Sequence, residues 1–171
     1  MTAPRLEIDL NKIQHNARTL VRRLADKGIA VTGVTKSFLG CPPIAHAMLK
    51  AGVTSLGDAR IENIETMRRA NVMAEMRLIR SPMLSQVDRV VATADVSFNT
   101  ELDIIGALSA AARRADCRHG IVLMVELGDL REGIMPGDLE KIVAKTLRFP
   151  NIVLKGIGVN LDCRSGISPD D

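Results

Sequence analysis

Apolar and polar positions along this chain switch repeatedly between two periods. The first segment, Arg5-Leu-Glu-Ile-Asp9, alternates like a short half-buried strand, and Asp9 stands where a helix cap belongs. Ile13, Ala17, Leu20, Val21 and Leu24 then recur at helical spacing, with Lys27-Gly28 supplying a cationic last turn and a glycine stop. Residues 29–35 are a run of apolar and β-favouring residues, the form taken by a strand buried in a parallel sheet. Pro42-Pro43 opens a helix whose apolar face is Ile44, Ala47, Met48 and Ala51, ending at Gly52.

The same alternation recurs to the end of the chain. Residues 53–57 predict a strand ending in Asp58-Ala-Arg60, and Ile61, Ile64 and Met67 mark the helix after it. Residues 76–79 predict a strand ending in Arg80-Ser-Pro82, followed by a short helix through Val87, Val90 and Val91. Residues 95–98 lead to Asn99. Thr100 with Asp103 resembles a capping box for a helix through Ile104, Leu108 and Ala112. The longest apolar strand, Ile121-Val-Leu-Met-Val125, ends in Glu126-Leu-Gly-Asp-Leu-Arg-Glu-Gly133. A helix opened by Pro136 uses Leu139, Ile142, Val143 and Leu147; Pro150 closes it, and residues 152–159 form a last strand ending at Asn160.

Strands alternating with helices imply βαβ units and a parallel sheet, either closed as a barrel or open and doubly wound. An open nucleotide-binding sheet usually carries a glycine-rich phosphate loop. Thr32-Gly-Val-Thr-Lys-Ser37 does not fit one, because a single glycine precedes the lysine, and no GxGxxG occurs. The expected fold class is therefore α/β, a parallel (β/α) barrel.

Composition narrows the function classes. With 171 residues, 46% hydrophobic and 25% charged, the chain can hold one domain with a sizeable core. Its 23 basic residues are interspersed with 20 acidic ones, which argues against a nucleic-acid footprint. No apolar run approaches the ~20 residues of a membrane span, and Met1-Thr-Ala-Pro-Arg5 lacks a secretory core, so a cytoplasmic protein without a membrane partner is expected. Cys41, Cys117 and Cys163 are widely separated and read as free thiols, and His15, His46 and His119 show no metal-ligand spacing. No tyrosine or tryptophan is present, so no phenol is available as a base.

Candidate chemistry gathers at the strand ends. Lys36 closes the strand of residues 29–35, at the end where the loops of α/β folds converge on a crevice. A lysine partly withdrawn from water there can present a neutral amine to an aldehyde and form a Schiff base. Taken alone, it reads more readily as a lysine that leaves the strand and snorkels into solvent, since exposed lysines are the rule. Asp58 with Arg60, Arg80, Asn99, Arg131 and Asn160 fall at equivalent positions and are expected on one rim. An inward-facing lysine ringed by arginines suits an anionic cofactor.

These residues also carry a family resemblance. Val31-Thr-Gly-Val-Thr-Lys36, Leu56-Gly-Asp-Ala-Arg-Ile-Glu-Asn63, Leu123-Met-Val-Glu-Leu-Gly-Asp-Leu-Arg-Glu-Gly133 and Gly156-Ile-Gly-Val-Asn160 resemble the pyridoxal-phosphate barrel of alanine racemases, and more closely its ornithine-racemase-like branch. The likeness covers essentially the whole chain. It implies a pyridoxal 5'-phosphate-dependent amino-acid racemase, with ornithine the candidate substrate and a homodimer for the complete enzyme. By that resemblance Lys36 holds the cofactor and serves as one of two proton-transfer bases. Arg131 matches the arginine that bonds the ring hydroxyl and lies near the substrate carboxylate, and Asn160 stands where alanine racemases stack a histidine on the ring. Gly40 stands where they carry a phosphate-binding tyrosine. Asp129 and Glu132 flank Arg131 and are candidates to receive a distal ammonium, although loop carboxylates are usually just solvated.

The resemblance further implies an incomplete barrel. Residues 36, 57, 79, 98, 125 and 159 mark strands one to six of eight, and residues 1–171 read as the N-terminal portion of such a barrel, ending in the soft tail Ser165-Gly-Ile-Ser-Pro-Asp-Asp171. The phosphate-binding loops and the C-terminal β-domain, with which residues 5–9 would pair, fall outside it. Two other readings stay open: the related small barrel that binds pyridoxal phosphate for cofactor homeostasis, and a non-catalytic, partner-binding remnant.

Overall fold

The computed structural model describes residues 4–128 and 130–161. Six βα-type alternations follow in order: α1 (Leu10–Ala25), β1 (Thr32–Val34), α2 (Pro42–Lys50), β2 (Ser55–Asp58), α3 (Ile61–Arg69), β3 (Glu75–Leu78), α4 (Val87–Thr93), β4 (Val96–Asn99), α5 (Leu102–Arg114), β5 (His119–Val125), α6 (Leu139–Thr146) and β6 (Ile152–Val159). The strands form one parallel sheet in the order β1-β2-β3-β4-β5-β6, each element beside the next in sequence. Parallel neighbours need a crossover between them, and the intervening helices supply it.

The alternation of side chains across each strand separates two faces. Leu56, Met76, Leu78, Ile121 and Leu123 are buried on the outer face, under Ile61, Ile64, Met67, Val90, Ile105 and Leu108 of the helices. Removing each such side chain from water contributes about 1.5–3 kcal/mol, so this layer holds the fold together. Thr32, Val34, Ile79, Phe98, Met124 and Val159 turn to the inner face and line one depression. Residues of both β1 and β6 reach it, so the sheet curls as a barrel does while β1 and β6 remain unpaired with each other.

Several local expectations hold. Asp9 caps α1, its Oδ1 accepting from the backbone N–H of Asn11 at 2.9 Å and Lys12 at 3.2 Å. Ile61, Ile64 and Met67 are the buried face of α3, as their spacing predicts. No helix among the described residues is long and apolar enough to cross a membrane.

Others need correction. Residues 5–9 form no strand; Leu6 and Ile8 are exposed, and a lone extended segment has no neighbour to take its backbone hydrogen bonds. The first barrel strand is only Thr32–Val34, because Ile29 lies half exposed beyond the reach of β2. The Thr100–Asp103 capping box does not form. The helix begins one residue later, with Glu101 at the cap and no side-chain cap bond, leaving Asp103 to act only on the helix dipole. Pro136 opens a 3-10 turn, Pro136–Asp138, ahead of α6. Cys163 and the tail of residues 165–171 lie outside the described residues.

Candidate active site

The site begins at the turn that carries Lys36. Thr35 extends β1 by one backbone bond, its N–H donating to Gly57 O at 2.8 Å, and Lys36 opens a short 3-10 turn, Lys36–Phe38. Leu39 and Gly40 then adopt left-handed conformations, φ 56° and 65°, and reverse the chain into α2. A Cβ on Gly40 would lie 2.8 Å from the carbonyl oxygen of Asn63 and 2.9 Å from its Cβ. Close packing against α3 thus requires glycine at this position and excludes the tyrosine that alanine racemases carry there.

Asp58 accounts for that packing. Fully buried, it points to the helical side of the sheet, where Oδ2 accepts from Thr35 Oγ1 at 2.6 Å and Oδ1 accepts from Arg60 N and Asn63 Nδ2, both at 2.9 Å. Its expected place on the rim is corrected: strand alternation turns it away from the crevice. It clamps the residue before Lys36 to the start of α3 instead. Neither the clamp nor Asn63's part in it was legible as such, although Asp58 and Asn63 lie five residues apart in one motif.

Asn99 is the second rim residue that the structure removes. With Phe98 facing inward, Ser97 and Asn99 must face the helices, where Asn99 Nδ2 donates to Ser97 O and Oγ, each at 2.9 Å. Asn99 Oδ1 has no hydrogen-bond partner among the described residues. Ser97 Oγ in turn lies 2.8 Å from His119 Nε2. His119, one of the three histidines without metal-ligand spacing, is buried in this layer; desolvation pushes its pKa down to about 4, against the opposing charge of Asp95 and a hydrogen bond to the Ala94 backbone.

The remaining residues do converge. Lys36, Arg80, Arg131 and Asn160 line the inner-face depression with Glu132, around a floor that includes Phe98 and Met124. Arg60 joins Lys36, Arg80 and Arg131 in an adjoining hollow. Lys36 is exposed, contrary to the expectation of a lysine withdrawn from water, because it leaves the strand end on a turn that the open sheet does not cover. Arg131 is exposed as well. The charge on this rim is predominantly positive.

Arg131 and Glu132 ride on a closed excursion of the backbone. Val125 and Ile134 form a parallel bridge at its base, with Ile134 N donating to Met124 O at 2.8 Å and Glu126 N to Ile134 O at 2.9 Å. Inside the loop, Glu126 Oε1 accepts from the N–H of Gly128 at 2.6 Å and of Leu130 at 3.0 Å. A Cβ on Gly133 would come within 2.5 Å of Glu126 N, so the loop closes only on glycine there. Glu126 is a positioning residue that the sequence reading passed over. Its signal was a carboxylate at a strand end, followed at once by a loop with glycines near both ends. Asp129 lies outside the described residues.

A family model described as "Alanine racemase, N-terminal domain" matches residues 8–169. The ornithine racemase of Acetoanaerobium sticklandii is 38% identical over 168 residues, 97% of this chain and 47% of the relative. The lysine racemase of Thermotoga maritima is 35% identical over 169 residues, 99% of this chain and 47% of the relative. The chain therefore spans about half the length of the curated relatives it matches. Among solved structures, the alanine racemase of Streptomyces coelicolor A3(2) superposes with a TM-score of 0.83 at 24% identity, over 93% of this chain and 44% of that one, a likeness of fold.

Proposed function

We propose that this chain, which belongs to the alanine racemase N-terminal domain family, supplies the cofactor-anchoring part of a pyridoxal 5'-phosphate-dependent amino-acid racemase acting on ornithine or a similar substrate. One observation carries the reading: Lys36, Arg131 and Asn160, separated by up to 124 residues of sequence, line a single depression on the inner face of the sheet. The relatives named for ornithine and lysine racemisation support the substrate class.

The residues present suit the cofactor. An anionic aldehyde calls for a primary amine within a cationic rim, and Lys36 with Arg60, Arg80 and Arg131 provides one. Phe98 and Met124 offer an apolar floor for a ring, and the neighbouring inner-face position is Gly57, where a Cβ would come within 2.9 Å of Ile79 Cγ2. When bound, the cofactor supplies the electron sink that lets a Cα–H bond ionise.

The protein's part is anchoring, orientation and proton transfer. Lys36 Nζ is the covalent anchor and holds the proton on its own face of the substrate. Arg131, lining the same depression, would help hold the cofactor and the substrate carboxylate and so orient the substrate toward Lys36. Asn160, just past the end of β6, would border the cofactor. Racemisation needs a second base on the opposite face, and this chain has no tyrosine to serve as one.

The test is chemical. Borohydride treatment in the presence of pyridoxal phosphate, followed by peptide mapping, is expected to place a stable adduct on Lys36, and Lys36→Ala is expected to abolish both the adduct and the accompanying absorbance change. Labelling spread evenly over the surface lysines would dismiss the reading.

A further inference from the structure

The rim described above is cationic, with one described exception. Glu132 lines the same depression as Lys36, Arg80 and Arg131, and no other described residue lining it carries a carboxylate. Its side chain retains only 23% of its accessible surface, yet its one ionic partner among the described residues is Arg80, whose Nε stands 4.0 Å from Glu132 Oε2. That separation is beyond a hydrogen bond, and Arg80 is itself 46% exposed. A carboxylate three-quarters withdrawn from water with no hydrogen bond among the described residues is an incomplete arrangement, because the lost hydration is only partly returned by a distant charge.

The backbone holds Glu132 there. It lies between Arg131 and Gly133 on the loop closed by the Val125–Ile134 bridge, and Gly133 admits no side chain against Glu126. The carboxylate is therefore presented to the depression by a braced loop and does not hang from a free strand end. We propose that Glu132 is the specificity-determining residue of this site and accepts the distal ammonium of an α,ω-diamino acid. The inference rests on the racemase reading above and deepens it.

Charge balance supports the assignment. An α-amino acid brings a carboxylate, which the arginines satisfy. A neutral side chain would leave Glu132 as it stands, and an acidic one would add repulsion. A second ammonium alone among common side-chain ends supplies the compact donor that completes the carboxylate, and Arg80, exposed and loosely held, can turn toward solvent to admit it.

The experiment uses the complete protein with its cofactor, comparing L-ornithine with L-norvaline, which has the same carbon chain but lacks the terminal ammonium. Glu132→Gln is expected to raise KM for L-ornithine about 10- to 100-fold, the range set by one charge-assisted hydrogen bond. KM for L-norvaline should stay unchanged, which also reports that the variant is folded, and Glu132→Asp should recover part of the loss. An ornithine-to-norvaline preference identical in Glu132→Gln and the unsubstituted protein would overturn the assignment and leave the racemase reading standing. Failure of the unsubstituted protein to racemise either amino acid would overturn both.

Discussion

Thr35 donates its hydroxyl to the buried carboxylate of Asp58 at 2.6 Å, and the next residue is Lys36. Lys36 is thereby set on a backbone held at one point from behind the sheet, while its side chain lines the depression on the inner face. The same carboxylate holds Asn63 and the first turn of α3, whose backbone in turn packs on Gly40. A turn closed by such a network keeps its geometry from outside the depression.

Removing the centre of that network should be costly. Asp58→Ala leaves the buried Asn63 Nδ2 and the partly buried Arg60 N without this acceptor, while Thr35 Oγ1 keeps only the carbonyl of Gly57 at 3.2 Å, and at about 1–3 kcal/mol for a buried group left unsatisfied, a loss of at least that size is expected. Urea unfolding measures it. A change below about 0.5 kcal/mol, the range of an inert surface substitution, would contradict the clamp.

Arg131→Ala should separate binding from turnover in the complete enzyme. The loop is closed by Glu126 and Gly133, not by the guanidinium, so the fold survives the substitution. Losing a charge-assisted bond worth about 1.5–3 kcal/mol predicts a fall of roughly 10- to 100-fold in kcat/KM with a smaller change in cofactor affinity. Unaltered kcat/KM would remove Arg131 from the site.

Gly133→Ala tests the brace itself. Its Cβ would lie 2.5 Å from Glu126 N and 2.6 Å from Glu126 Cα, backbone atoms that cannot step aside cheaply. The expected outcome is a loop displaced from the depression, seen as lost activity and faster hydrogen exchange at Gly128 and Leu130, with the outer helices protected as before. Retained exchange protection at those two amides would show that the loop tolerates the side chain.

His119 makes stability depend on pH with a definite sign. Its folded pKa, about 4, lies below the ordinary 6.5, so the unfolded chain binds a proton more readily than the folded one. The histidine therefore imposes no penalty above about pH 6.5, and stability falls as pH drops from there toward 4, by on the order of 3 kcal/mol over the whole window. Unfolding free energies from pH 7.5 to 4 should show this slope, and His119→Gln should flatten it. Equal slopes in both proteins would assign the acid sensitivity elsewhere.

Local chemistry and periodicity determined much of this protein from the sequence alone. Asp9 as a cap, the buried stripe Ile61, Ile64 and Met67, and the order of strands and helices depend on neighbours within a few residues, and those neighbours are written consecutively. The family motifs around Lys36 and Arg131 were legible for the same reason. What each strand-end residue faces was not. Successive residues on a strand point to opposite faces, so an error of one position in the strand's phase moves a side chain from the crevice to the helical layer, and only the assembled sheet sets that phase. Thus Arg80 and Arg131 reached the depression, whereas Asp58 and Asn99 turned behind it. Residues 5–9 carried a strand pattern and formed none, because a strand is completed by a partner and not by its own alternation. The long 4.0 Å approach of Arg80 to Glu132 is likewise a tertiary fact, set where the end of β3 meets a loop 52 residues further along the chain.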